Sequence, residues 1–499
     1  MSIKLDSIFT DHMVIQREKE ITVFGTGNPD EKVEASFAGQ QRQTKIGEKG
    51  NWRIQFEPLK AGGPYVLQIK SGDTLIEICD VMIGDVYVAA GQSNMEFLFE
   101  NTKNAQEEQE ETAQTAFRYY KVPQVEYIKD GKEYPQIPEE GWYECNPENV
   151  GKISGVAYYF AKELRNYTDV PIGIIGCHKG GTSASCWVSK KTLRADPEIK
   201  KLYYDDYYHD IQGQTEEEED LAIAEYQKTL AEYQEKVEEY QKKYPERSMS
   251  QLKHDVGHTP WPGPKGKKDF GRPCGLYKTM FQKIKGMRYK AILWYQGEED
   301  TKNASVYKIL LSNLIANWRE ELKDQKLPFL VMQLPNYNDD KVPFSWAVLR
   351  EQQRKVVEET NRTEIICTLG CGEEFNIHPA DKSEAGRRLG IMAAEMFYDD
   401  SVQGHAPSLS EVQKIENGYL LKFKNCYGHI CAEKDEEYYL NISFDGVQFE
   451  KIQVALSGEC MEIKTDKEAK IISYGWENNP DILFRGASGL PLMPFYYKC

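Results

Sequence analysis

The chain has 499 residues, room for about three domains at roughly 150 residues each. Lys+Arg total 62 against Asp+Glu 79, a net charge of −17, and so acidic a surface repels polyanions and excludes nucleic acid as a partner. No stretch approaches the roughly 20 apolar residues that cross a bilayer, so no membrane role is expected.

The eleven cysteines are dilute, and even Cys426 with Cys431 lacks a second pair, so neither a metal site nor a cofactor is expected. The start, MSIKLDSIFTDHMVI, lacks the apolar run of about 7–15 residues found in a signal peptide. With free thiols, which suit a reducing compartment, this predicts a cytoplasmic protein.

Residues 1–80 alternate in short runs, including Ile21–Phe24, Val33–Phe37, Trp52–Phe56 and Tyr65–Ile69, separated by Gly25, Gly27, Gly50 and Gly62-Gly63-Pro64. This pattern predicts a β-sandwich-like domain. Beyond it, over 81–403, the runs 86–90, 172–175, 291–295, 329–332 and 365–367 are continuously apolar, and helical segments lie between them. Strands buried on both faces predict an α/β domain with a mostly parallel sheet covered by helices. An insertion at about 203–270 carries the acidic run 216–220, then Ile223, Tyr226, Leu230, Tyr233, Val237, Tyr240 and Tyr244 at spacings of three and four until Pro245. A surface helix packed on its own domain is expected there, with a dimerising coiled coil, hence a homodimer, as the alternative. Alternation returns over 404–499, a second β-rich region.

In such a sheet ligands bind beyond the carboxyl ends of the strands. Run 86–90 leads into Gly91-Gln92-Ser93-Asn94-Met95-Glu96, where a serine on a strand-to-helix turn offers a hydroxyl nucleophile and a backbone amide as oxyanion donor. A plain helix cap is the structural alternative for Ser93. Run 172–175 leads into Gly176-Cys177-His178-Lys179-Gly180-Gly181, run 291–295 into Gln296-Gly297-Glu298-Glu299-Asp300, and the strand near 365–369 precedes Asn376-Ile377-His378-Pro379. His378 suits a general base because imidazole titrates near neutrality. Their joint occurrence at successive strand ends points to a hydrolase.

The segments GQSNMEF, PIGIIGCHKGGTSASCW, GRPCGLY, ILWYQGE, WAVLREQQ and IHPADK resemble motifs of the sialate O-acetylesterase family, within the SGNH-type carbohydrate esterases. DHMVIQR, KAGGPY, YGWENNP and GLPLMPF extend the resemblance to both β-regions. It implies a cofactor-free serine esterase with an SGNH-hydrolase-like three-layer α/β/α domain, flanked by β-sandwich-like regions, removing O-acetyl groups from sugars. It also implies Ser93 as nucleophile and His378 as base, with the Ser93 amide, an amide at Gly180 or Gly181 and the Gln296 side chain as oxyanion donors. The sequence departs from the family pattern in three ways: Asn376 where Asp is common, Glu299-Asp300 where Ser-Asn is frequent, and His178-Lys179 where Trp is common. Glu373 or Glu374 is expected to supply the missing acid, Glu374 being favoured, or a Ser–His dyad suffices. Trp187, Trp294, Tyr295 and Trp346 are aromatic candidates for stacking on substrate. A sialic acid ester is the expected substrate, with acetylated xylan, mannan or xyloglucan oligosaccharides as alternatives and a non-catalytic carbohydrate-binding protein as the reading from another class.

Overall fold

Alternating burial organises the N-terminal strands: Val33, Ala35 and Phe37 face inward from Lys32–Phe37, and Trp52, Ile54 and Phe56 from Asn51–Phe56. The computed structural model describes residues 3–138, 140–339, 342–433 and 438–499. Two units share the chain, one made of Met1–Gln214, Lys265–Tyr295 and Asn313–Phe329, the other of Thr215–Pro264, Gln296–Ser312 and Leu330–Cys499. The segment expected as one domain, 81–403, thus contributes to both.

In the first unit a long strand, Thr74–Gly91, does two jobs. Its first half pairs antiparallel with Gly62–Ser71, and its second half pairs in parallel with Ile172–His178 on one side and Ala291–Tyr295 on the other. Phe117–Lys121 adds a further parallel strand beyond Ile172–His178, and Trp142–Glu144 closes that edge antiparallel. The expected boundary at residue 80 therefore falls inside a strand. Asp80 has φ 54° and the register with Gly62–Ser71 shifts nearby, so the polar residue marks a bulge, not a linker. Where the strand becomes fully buried, the Asp85 carboxylate takes two bonds from Arg17, Nε and Nη2 each at 3.0 Å, and another from Gln16 Nε2 at 3.0 Å. This pins the chain just after Val14–Gln16 to the strand it joins in parallel.

In the second unit, strand Thr363–Ile366 and the end of Phe329–Met332 neighbour the helices Ser345–Glu359 and Ser383–Phe397 in sequence. The C-terminal β-region, from Ser408 onward, forms a seven-stranded sheet of antiparallel neighbours over a core that includes Leu421, Phe423, Leu440, Ile442, Met461, Ile463 and Ile472. The insertion forms a 28-residue helix, Glu216–Lys243, started by a capping box between Thr215 and Glu218, with four glutamates in its first turn and Lys242 and Lys243 in its last. That charge placement complements the helix dipole. The protein is α/β, and in the first unit parallel strands end at the Ser93 and glycine-loop motifs.

Candidate functional site

The turn that bears Ser93 admits only glycine before it. Gly91 has φ 135°, and a Cβ there would lie 2.0 Å from the Tyr295 carbonyl oxygen. Gln92 N–H donates to that same carbonyl at 3.0 Å. The chain then enters the four-residue helix Ser93–Glu96, burying Asn94 and Met95 while Ser93 stays partly exposed. Among the described residues Ser93 Oγ makes no hydrogen bond, so its hydroxyl is not spent as a cap.

The loop after Ile172–His178 presses on this turn. A Cβ on Gly180 would lie 3.3 Å from Ser93 Cβ and 3.1 Å from Glu96 Oε2, which leaves no slack for a side chain. The Gly180 N–H donates to Glu96 Oε2. This corrects the expectation for Gly180, because a donor already held by a buried carboxylate is not open to an oxyanion. Gly181, at φ 68°, keeps an amide that bonds to no other group among the described residues. Burial raises the Glu96 carboxyl, but the bonds from Gln124 and Gly180 and the charge of Lys179 together hold it below its ordinary range. It is an ionised group fastening the loop.

His178 and Lys179 are equally engaged. His178 Nε2 pairs with the Tyr119 hydroxyl at 3.0 Å, and burial pushes the imidazole down to about 4, so it is neutral at pH 7. Lys179 pairs with Glu126 at 2.9 Å and lies 4.7 Å from the centre of the Phe270 ring. His178, so weakly basic, is a poor acceptor for a serine proton at neutral pH.

In the second unit Gln296 is fully buried and its amide is oriented at both ends. Tyr307 OH donates to Oε1 at 2.7 Å, and Nε2 donates one of its two protons to Asp300 Oδ2 at 2.7 Å. Gln353, from the WAVLREQQ segment, donates to the Gln296 carbonyl at 3.2 Å. Asp300, one of the departures from the family pattern, is thus what aims the amide. Two residues after Gln296, Glu298 acts electrostatically on Lys382 of the IHPADK segment, a residue only 1% exposed whose ammonium is pushed by burial down to about 7.

The His378 loop is braced by Asn376, whose Oδ1 accepts from His378 N–H at 3.1 Å while Nδ2 donates to the His378 carbonyl at 2.8 Å and to Glu373 Oε2 at 3.1 Å. Glu373 Oε1 also accepts from Ala380 N–H at 2.8 Å. Glu374, in contrast, is exposed, and among the described residues its carboxylate takes part in no hydrogen bond or ion pair. The expectation that Glu374 orients His378 is therefore corrected: this side chain faces solvent, and Glu373 is the carboxylate tied into the loop.

The aromatic candidates are corrected as well. Trp187, Trp294, Tyr295 and Trp346 are all at most 1% exposed, and a ring with no free face cannot stack on a sugar. Trp187 Nε1 donates to Thr182 Oγ1 at 3.0 Å, and Trp294 packs edge-on against Trp318 at 5.7 Å. Sequence reasoning missed Glu96, Asp300 and Asn376 as positioning groups, although Asp300 and Asn376 lie within four residues of the motif residues they serve; Glu96 serves Gly180, 84 residues on.

Residues 83–262 and 263–399 match the family model described as a carbohydrate esterase, sialic acid-specific acetylesterase. The chain belongs to this family. The sialate O-acetylesterase of Mus musculus is 23% identical over 467 residues, covering 83% of this chain and 77% of the relative. That of Homo sapiens is 22% identical, covering 88% and 79%. A carbohydrate acetylesterase from Xanthomonas citri shares the fold, with a TM-score of 0.78 at 23% identity over 99% of each chain. As a member of this family the protein is a carboxylic ester hydrolase of the carbohydrate esterase class, and the matched span contains Ser93, Gly181, Gln296 and His378.

Proposed function

We propose that the protein removes acetyl groups from O-acetylated sialic acid through a serine acyl-enzyme. Ser93 Oγ attacks the acetyl carbonyl as His378 takes its proton, and the negative charge that develops on the carbonyl oxygen is met by the Ser93 and Gly181 amides and by Gln296 Nε2. His378 then returns the proton to the departing sugar oxygen, and a water molecule, activated by the same imidazole, releases acetate. Asn376, bonded to both backbone groups of His378 and to Glu373, holds the loop that carries the base. An SGNH-type three-layer catalytic domain with flanking β-sandwiches is the architecture that goes with this chemistry.

The observation that carries the reading is an unspent pair in the first unit: a Ser93 hydroxyl outside any cap, against which Gly180 is packed, and a Gly181 amide left open while Gly180 is bound by Glu96. Acetate release from 9-O-acetyl-N-acetylneuraminate, measured beside acetylated xylo-oligosaccharides, tests it. Preference for the sialate, expressed as kcat/KM, is expected; preference for the xylo-oligosaccharides assigns the enzyme to plant glycans instead.

A further inference from the structure

With the four buried aromatics removed from the substrate's reach, another indole takes their place. Trp261 comes from the inserted hairpin and is 44% exposed. Its Nε1 donates to Glu299 Oε2 at 2.8 Å, and Glu299 is tied by its other oxygen to Lys302 at 2.7 Å. The polar edge of the ring is therefore satisfied and its orientation held, while ring surface remains open to solvent. Glu299 is three residues from Gln296, which puts their Cα atoms within about 11 Å of each other, a span that one or two pyranose rings bridge.

The rest of the insertion explains how the indole is kept there. Tyr226, Tyr233 and Tyr240 recur every seven residues along Glu216–Lys243, so they share one helix face. Their hydroxyls donate in order to the Pro260 carbonyl at 2.8 Å, to the Gly257 carbonyl at 2.7 Å and to the Asp255 carboxylate. The helix runs alongside the returning segment and fastens it up to the residue before Trp261. Lys253 adds a bond to the Tyr233 hydroxyl at 2.8 Å. A 28-residue helix with only Glu219 and Val237 buried gains little from packing, so its cost in chain is better accounted for as a strut than as core.

We propose that the inserted hairpin, residues 215–264, is a substrate-selecting device that presents Trp261 as a stacking platform for a sugar ring of the acetylated substrate, next to the Gln296 loop. An aromatic face meets the axial C–H groups of a pyranose, and a side chain already fixed in orientation loses little entropy on contact. Glu299, the departure from the family's Ser-Asn pattern, is then the anchor of that platform. The proposal rests on the esterase reading of the same site.

The experiment compares kcat/KM for 9-O-acetyl-N-acetylneuraminate and for acetylated xylo-oligosaccharides with kcat/KM for p-nitrophenyl acetate, which has no sugar to stack. In Trp261→Ala the ratio of the better saccharide substrate to p-nitrophenyl acetate should fall about tenfold, mainly through KM, and Trp261→Phe should recover most of it. Glu299→Ala should lower the ratio by a smaller factor. A ratio unchanged in Trp261→Ala overturns the proposal, as does an equal fall on both substrates, which marks the residue as structural. If Trp261→Ala halves the mass in light scattering and leaves the ratio alone, the ring seats a second copy of the chain and the proposal is again overturned. Failure of the esterase reading is separately visible, because Ser93→Ala would then retain activity on every substrate.

Discussion

Asn336 Nδ2 donates to Asn479 Oδ1 at 3.0 Å, across 143 residues of sequence. The other end of the Asn336 amide accepts from Gly370 N–H at 3.0 Å and Gly372 N–H at 3.1 Å, the stretch that leads to His378. Tyr337 N–H donates in turn to the Asn478 carbonyl at 3.1 Å, and buried Arg350 grips the carbonyls of Glu477 and Asn478. The YGWENNP loop of the C-terminal β-region is therefore part of the support of the histidine loop.

Replacing Asn336 with Ala leaves two loop amides without an acceptor, at a cost of about 1–3 kcal/mol. A small displacement of the base is amplified in rate, so kcat on p-nitrophenyl acetate should fall about tenfold with little change in KM. Asn479→Ala should have the same sign and a smaller size. Steady-state kinetics with thermal melting checks both, and a loss of stability with unchanged kcat would mean that the bridge serves the fold alone.

Glu96→Gln offers one carbonyl oxygen to two donors, Gly180 N–H and Gln124 Nε2, so one of them is released. The loop then no longer holds the Gly181 amide in place, and kcat should fall about 10–100-fold, a fraction of the loss expected when an oxyanion donor is removed outright. Kinetics on p-nitrophenyl acetate measures this. Activity equal to wild type would place Glu96 outside the machinery.

How much of this was legible in the sequence depends on how far apart the partners lie. Ser93, Gly181 and Gln296 could be singled out because continuous apolar strands stop at glycine or glutamine, a local signal. The bond from Gly180 to Glu96 spans 84 residues and the Asn336–Asn479 bridge spans 143, and no local pattern announces either. Nearness to the motifs does not make Trp294 and Tyr295 available either: a strand buried on both faces has no outer side, so its aromatics pack in the core. Near residue 80 the change from alternating to continuous apolar runs marks no domain end, because one strand, Thr74–Gly91, passes through it with a bulge.

His405 provides a pH test. Its ring nitrogens bond Glu395 Oε2 at 2.9 Å and Glu364 Oε2 at 3.1 Å. The Glu364 bond, with the Glu395 and Glu364 charges behind it, outweighs burial and raises the imidazole above its ordinary value. A raised folded-state value means that this clamp contributes fully below the unfolded value of about 6.5 and is lost as pH rises through the folded one. The difference in Tm between wild type and His405→Gln should be largest near about pH 6 and shrink toward about pH 9. A difference that grows with pH would contradict the charged clamp.

Asp85→Asn removes the charge that Arg17 and Lys290 share at 3.0 and 3.6 Å, leaving two cations beside a fully buried site. The expected loss is about 3–5 kcal/mol, read as a lower denaturant midpoint with an unchanged slope. A variant as stable as wild type would show that the N-terminal region is held by its apolar pairing alone.

The central claim is that Ser93 is the nucleophile of a carbohydrate esterase, and acetate release by purified Ser93→Ala tests it most directly. The fold should survive, since Ser93 caps nothing and is only partly buried, so Tm should match wild type. With p-nitrophenyl acetate and 9-O-acetyl-N-acetylneuraminate alike, kcat should fall by at least about 10³-fold, leaving the acceleration that the oxyanion donors and binding supply by themselves. Turnover within about tenfold of wild type in a variant of unchanged Tm would contradict the account.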